Sequence, residues 1–103
     1  MCAGYANLLQ RLVQAQGIPC KQAYTYSAGV GTIGYFDESN YNVTNSNHAH
    51  AEAYVDGRWV IMDPTWDSGN TYENGEYNYK APSIRFFDMT LDYLSFSHKI
   101  ISR

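Results

Sequence analysis

Asp56-Gly57, set between two runs of β-forming residues, constrains this chain more than any other feature. A type I′ turn requires positive φ at both central positions, and Asp-Gly meets that demand. The flanking runs therefore read as a hairpin with strands over about 47–55 and 58–63. With Val55 facing Arg58, counting back along both strands puts His50 opposite Asp63 and His48 beside Thr65, one diagonal from Asp63. Because side chains alternate, His48, His50, Glu52, Tyr54, Trp59, Ile61 and Asp63 share one face, while Ala49, Ala51, Ala53, Val55, Val60 and Met62 line the other. One face is small and apolar. The other holds two imidazoles beside a carboxylate that can fix an imidazole tautomer.

Ahead of the hairpin, residues 3–16 read as an amphipathic helix. Tyr5, Leu8, Leu9, Leu12 and Val13 recur at helical spacing, with Asn7, Gln10, Arg11 and Gln14 opposite and Gly17 and Pro19 as the stop. Cys2 falls at the N-terminus of that helix, where unpaired N–H groups and the positive dipole end favour a thiolate. Cys20 lies beyond the far end, about 20 Å away at ~1.5 Å per residue. A disulfide needs Cα atoms within roughly 7 Å, so two free thiols are expected, with Cys20 a small buried residue.

The remaining chain is read more coarsely. Lys21–Ser27 alternates as a strand, and Ala28–Asn47 is a Gly-, Ser- and Asn-rich connection with a short strand near 33–36. Ser68–Lys80 reads as loop, Ile84–Phe87 as a short apolar strand, and Asp88–Leu94 as one or two helical turns with Asp88 as N-cap. No internal repeat or linker breaks the 103 residues, which suits one domain over 1–103.

Composition narrows the function classes. A net charge of −3 and seven scattered Lys and Arg residues give no footprint for nucleic acid. No apolar run approaches the ~18 residues of a membrane span, and no signal-peptide pattern is present. Asn- and Tyr-rich, charge-poor loops lean towards an extracellular or cell-surface setting.

A thiol at a helix N-terminus with a His and an Asp on a hairpin has the parts of a thiol acyl-transfer enzyme: nucleophile, base and orienting acid. Backbone N–H groups at the helix start are suited to an oxyanion. Two other readings fit the same residues. His48, His50 and Asp63, with Cys2 as fourth ligand, have the donor types of a zinc site. Alternatively, Tyr24, Tyr26, Tyr35, Tyr41, Tyr72, Tyr77 and Tyr79 offer an aromatic surface for a peptide- or glycan-binding module without catalysis.

The order Cys2-Ala3-Gly4-Tyr5-Ala6, Gly17-Ile18-Pro19-Cys20, His48-Ala49-His50-Ala51-Glu52, Asp56-Gly57-Arg58-Trp59, Asp63-Pro64-Thr65-Trp66-Asp67 resembles the transglutaminase-like core of the papain-type cysteine enzymes. The tail from Ile84-Arg85-Phe86-Phe87 to Ser97-His98-Lys99 is similar to that of bacterial members. The resemblance implies an α+β, papain-like fold with the N-terminal helix packed on an antiparallel β-sheet. It implies catalysis by Cys2, His48 and Asp63 on peptide or side-chain amides of a protein or peptide substrate, hydrolysis being preferred over cross-linking, with no cofactor and no metal. His50 stands where the family's His-x-Trp pattern has Trp, so it is held as an alternative base or a supporting residue. His98 receives no role beyond structure. Glu52 is expected only to pair with a polar neighbour, and Trp59 and Trp66 to wall the core or cleft. In relatives a segment precedes the cysteine and helps build the oxyanion site, so the chain reads as a core truncated at its N-terminus.

Overall fold

In the computed structural model, which describes residues 2–27 and 44–103, the chain runs α1 (Cys2–Ala15), β1 (Cys20–Ser27), β2 (His48–Val55), β3 (Arg58–Met62) and α2 (Pro64–Ser68). It continues through β4 (Thr71–Glu73), β5 (Glu76–Asn78), β6 (Phe87–Met89), α3 (Leu91–Ser95) and β7 (His98–Ser102). Five strands form an antiparallel sheet in the order β6-β3-β2-β1-β7, and β4 pairs with β5 alone. The fold is α+β, with the N-terminal helix on an antiparallel sheet as the sequence implies. No helix of the described residues is long and apolar enough to cross a membrane.

The hairpin forms as its turn dictates. Asp56 and Gly57 take φ of 51° and 80°, the sign pattern of a type I′ turn, and Val55 faces Arg58 while Ala51 faces Met62. Alanine is a poor strand former, yet Ala49, Ala51 and Ala53 occupy the sheet's central strand. Small side chains there, and the fully buried Ala6 on α1, let the helix lie close on the sheet. Leu9, Val13 and Ile18 pack against Cys20, Ala51, Ala53, Val60 and Met62. The buried stripe of α1 is narrower than its periodicity suggests, since Leu8 and Leu12 face solvent. Gly17, at φ 79°, ends the helix, and Tyr54 donates its backbone N–H to Pro19. The end of α1 thus lies by the hairpin turn, and its start lies at the open end of the hairpin. Both cysteines are free, with Cys20 buried.

The opposite sheet face is covered too, by a second cluster of Ile61, Trp66, Phe86, Met89 and Leu94. The chemistry-bearing face is therefore an interior, and its polar groups are sealed beside an apolar layer.

The expected strand near 33–36 lies outside the described residues. Three other expectations change. Part of the expected loop over 68–80 is a hairpin, because Asn74 and Gly75 take φ of 52° and 78° and make another type I′ turn between β4 and β5. Residues 84–86 are not a strand: Asp67 holds that segment, its Oδ1 accepting from the Phe86 N–H at 2.8 Å and the Ser83 hydroxyl at 3.0 Å, so pairing starts only at Phe87. Asp88, at φ 56°, is gripped by Arg58, and Thr90 caps α3 instead by accepting from the Tyr93 N–H at 3.0 Å.

Candidate active site

Asp63 ends β3 and starts α2. Its backbone leaves the strand (φ −119°, ψ 89°), its N–H donates to the Phe86 carbonyl at 2.7 Å, and its Oδ1 caps α2 by accepting from the Trp66 N–H at 3.1 Å. Pro64 follows at the first helical position, where a missing N–H costs nothing. This bend removes Asp63 from the simple cross-strand register and carries its carboxylate away from His50. It faces His48, whose Nε2 donates to Oδ2 at 2.5 Å.

A second imidazole, which the sequence reading left without a role, joins this carboxylate. His98 on β7 donates from Nε2 to the same Oδ2 at 2.8 Å, and its Nδ1 lies 2.7 Å from Ser97 Oγ. All three groups are buried, with exposures of 6% for His48, 0% for Asp63 and 1% for His98. Burial alone would push the Asp63 carboxyl up. Hydrogen bonds from His48 and His98, with the charge those rings can carry, outweigh it and hold the carboxyl well below the usual carboxylate range. His98 is driven the other way: desolvation disfavours its charged form more than Asp63 favours it, so its pKa lies below the ordinary value. Trp66 packs on its ring, with centroids 4.8 Å apart.

His50 does not join Asp63. Its Nε2 lies 2.9 Å from Glu52 Oε2, and Arg103 holds the far side of that carboxylate from NH2 at 2.8 Å and Nε at 3.0 Å. His50 and Glu52 are both fully buried, and His50 Nδ1 has no hydrogen-bond partner among the described residues. Burial raises the Glu52 pKa, but hydrogen bonds from His50 and Arg103 and their charges bring it from 4.5 to about 2.

Cys2 begins α1 and is half-buried. Among the described residues its sulfur makes no hydrogen bond, to either ring or elsewhere. Tyr5, one turn on and on the same side of the helix, accepts from Asn70 Nδ2 at 3.2 Å. Tyr5 and Leu9 also line a cavity of about 370 Å³ with Pro64, Ser68, Pro82 and Phe87. The first turns of α1 therefore lie against the segment that follows Asp63.

The donor set for a cation differs from that expected. Among the described residues the group able to hold a metal ion is His48, Asp63 and His98, whose ligand atoms lie within 4.8 Å of one another; His50 and Cys2 are outside it. Trp59 is no cleft wall: it sits near the hairpin turn, 38% exposed, under the Lys21 ammonium at 4.3 Å. Trp66 is core. Of the tyrosines expected to form an aromatic surface, Tyr24, Tyr77 and Tyr79 are exposed, with Tyr77 stacked on Tyr79, while Tyr35 and Tyr41 lie outside the described residues.

The family model of the transglutaminase-like superfamily matches residues 1–64. The chain belongs to that superfamily. Its matched part runs from the first turn of α1 to the Asp63-Pro64 corner and so spans Cys2, His48 and Asp63. Kyphoscoliosis peptidase from mouse and from human are each 35% identical to it over 68 residues, 66% of this chain. That match spans 10% of the length of those relatives. No solved structure matches the chain. The transglutaminase-like assignment thus rests on sequence, and the helix-on-sheet arrangement of the superfamily member described above agrees with it.

Proposed function

We propose that this transglutaminase-like core performs thiol acyl transfer on peptide or side-chain amides, with Cys2 as nucleophile, His48 as base and acid, and Asp63 as the group that orients His48. The observation that carries the reading is the buried His48–Asp63 hydrogen bond of 2.5 Å at the end of the hairpin where α1 begins. Because Asp63 Oδ2 accepts, His48 Nε2 carries the hydrogen, and in the neutral ring Nδ1 presents a lone pair. That nitrogen takes the thiol proton from Cys2. The thiolate adds to the amide carbonyl, and the negative oxygen that results is met by the free N–H groups of the first turn of α1. The His48 imidazolium then protonates the departing amine, leaving a Cys2 thioester. Water, deprotonated by His48, releases the acid and restores the thiol. Catalytic hydrogen bonds to a nucleophile commonly tighten only with substrate present, which suits a sulfur without a bond to either ring. The name of the two relatives, a peptidase, favours hydrolysis over transfer to a second amine. The cavity walled by Leu9, Pro64, Pro82 and Phe87 suits an apolar side chain beside the scissile amide.

Iodoacetamide alkylation followed by mass spectrometry tests the reading. Cys2 alkylates faster than Cys20 and faster than in the unfolded chain, and His48→Ala removes the advantage. Loss in His50→Ala but not in His48→Ala would overturn the assignment. Incubation with a peptide library and a labelled primary amine separates the outcomes, since hydrolysis yields new carboxylates and transfer yields labelled amides. Chelation by EDTA leaves both unchanged; loss of activity on chelation, restored by zinc, would give His48, Asp63 and His98 to a metal instead.

A further inference from the structure

We propose that Ser97 and His98 form a positioning dyad that locks the Asp63 carboxylate, and through it the His48 ring. The kinetic part of this inference rests on the acyl-transfer reading above; the hydrogen-bond part does not. His98 reaches Asp63 from β7, at the opposite edge of the sheet from β6 and two strands away from the hairpin. Its ring lies 5.1 Å from that of His48, and the two Nε2 atoms converge on one oxygen.

The proton positions follow from the partners. Asp63 Oδ2 is an ionised acceptor, so His98 Nε2 must carry a hydrogen. A ring 1% exposed with Trp66 against its face is held uncharged, which leaves a lone pair on Nδ1. Ser97 Oγ, at 2.7 Å, is then the donor to that nitrogen. The carboxylate thus selects the tautomer, and the hydroxyl donates to the nitrogen left bare and holds the ring from its other side.

The carboxylate is fixed as a result. Oδ1 accepts from the Trp66 N–H, and Oδ2 accepts from both imidazoles. Rotation about χ2 would break all three bonds at once, so the lone pair that orients His48 has a single direction. His98 itself is no substitute base. Both of its nitrogens are engaged, and it is sealed from the helix start by its own burial. A buried histidine with both nitrogens satisfied by a hydroxyl and a carboxylate shared with a second histidine is more than packing needs. A phenylalanine would fill the same space beside Trp66 without a desolvated polar ring.

Nitrogen-15 NMR of the imidazoles and the rate of Cys2 alkylation by iodoacetamide test the dyad together. In the unaltered protein His98 shows a protonated Nε2 and an unprotonated Nδ1; the reverse tautomer would overturn the inference whatever Cys2 does. His98→Leu removes the donor and slows Cys2 alkylation about tenfold, the effect of one lost hydrogen bond to a charged group. His98→Gln, whose amide N–H reaches the same oxygen, restores the rate to within about threefold of the starting protein. Equal slowing in both variants, or none in His98→Leu, would sink the proposal. Should His98→Leu fail to fold, Ser97→Ala decides. That variant keeps the Nε2 hydrogen that Asp63 demands but leaves Nδ1 without its donor, so Cys2 alkylation slows a few-fold, and an unchanged rate would refute the role of the hydroxyl. If Cys2 is no faster in the unaltered protein than in the unfolded chain, the acyl-transfer reading fails, while the tautomer measurement still judges the dyad.

Discussion

His48 and His50 stand two residues apart on β2, point to the same side of the sheet and each meet a carboxylate, yet the two pairs are built differently. His50 and Glu52 are neighbours on one strand, both fully buried, and Arg103 closes the carboxylate from outside with a side chain 32% exposed. An acid matched by a guanidinium and an imidazole is an interior polar unit. His48 draws its carboxylate from 15 residues away, at the corner between β3 and α2, and keeps 6% exposure where His50 has none. No arginine balances Asp63; a second imidazole does. The lesson is that two imidazoles alike in chemical type and strand face stand in different settings. What separates them is the partner of the carboxylate and the access left to the other ring nitrogen.

Substituting the two histidines breaks the comparison most directly. His48→Ala lowers the rate of Cys2 alkylation and amide hydrolysis by about 10²–10⁴, the range of a lost general base. His50→Ala keeps the rate within a few-fold and lowers stability to urea by about 2–4 kcal/mol, through a buried void and a carboxylate that has lost one donor. Exchange of these outcomes would reverse the roles assigned to the two pairs.

Acid sharpens the contrast next. The Glu52 pKa is about 2 in the folded chain against an ordinary 4.5, so the folded state binds fewer protons than the unfolded one in that interval. Stability from this pair is complete above the unfolded value and is lost as pH falls from about 5 towards 2, a loss of about 3 kcal/mol readable from urea midpoints across pH. Arg103→Met raises the folded-state pKa of Glu52, so the acid loss is smaller and is complete at a higher pH, and it costs about 1–2 kcal/mol at neutral pH, the discount reflecting the exposed guanidinium. Alkylation of Cys2 should be unmoved by Arg103→Met, and a large drop would show that the two pairs are coupled. The smallest effect belongs to a control: Arg58 and Asp88 also form a two-pronged ion pair, at 2.6 and 2.9 Å, but in solvent. Arg58→Met is expected to leave the thermal midpoint within experimental scatter, whereas the same change at Arg103 shifts it by several degrees.

Elements whose cause is local were readable from the chain itself. Asp56-Gly57 dictated the turn, the register and the two faces of β2 and β3, and the apolar spacing of residues 5–13 marked α1 to within a residue. The His48–Asp63 pair needed the family resemblance, because strand arithmetic alone puts His50 opposite Asp63 and cannot show that the chain bends at Pro64. His98 and Arg103 were invisible for a different reason. They lie 35 and 51 residues from their partners, and no periodicity links the end of the chain to carboxylates on β2 and just past β3. A hint was present in Glu52, an acid on the face of a strand otherwise fit for burial, which demands a cation from somewhere. Asn74-Gly75 carried the same turn signal as Asp56-Gly57 and went unread as a hairpin because the flanking runs are only three residues long.

Asp63 divides its two oxygens between different tasks: one terminates a helix and the other gathers two rings. An amide has a single accepting end. Asparagine at this position must either turn its NH2 group towards two nitrogens that already carry hydrogens or turn it towards the Trp66 N–H, and each orientation sets donor against donor. Exchange for the nearest isostere therefore disturbs either the cap of α2 or the hydrogens on the two rings.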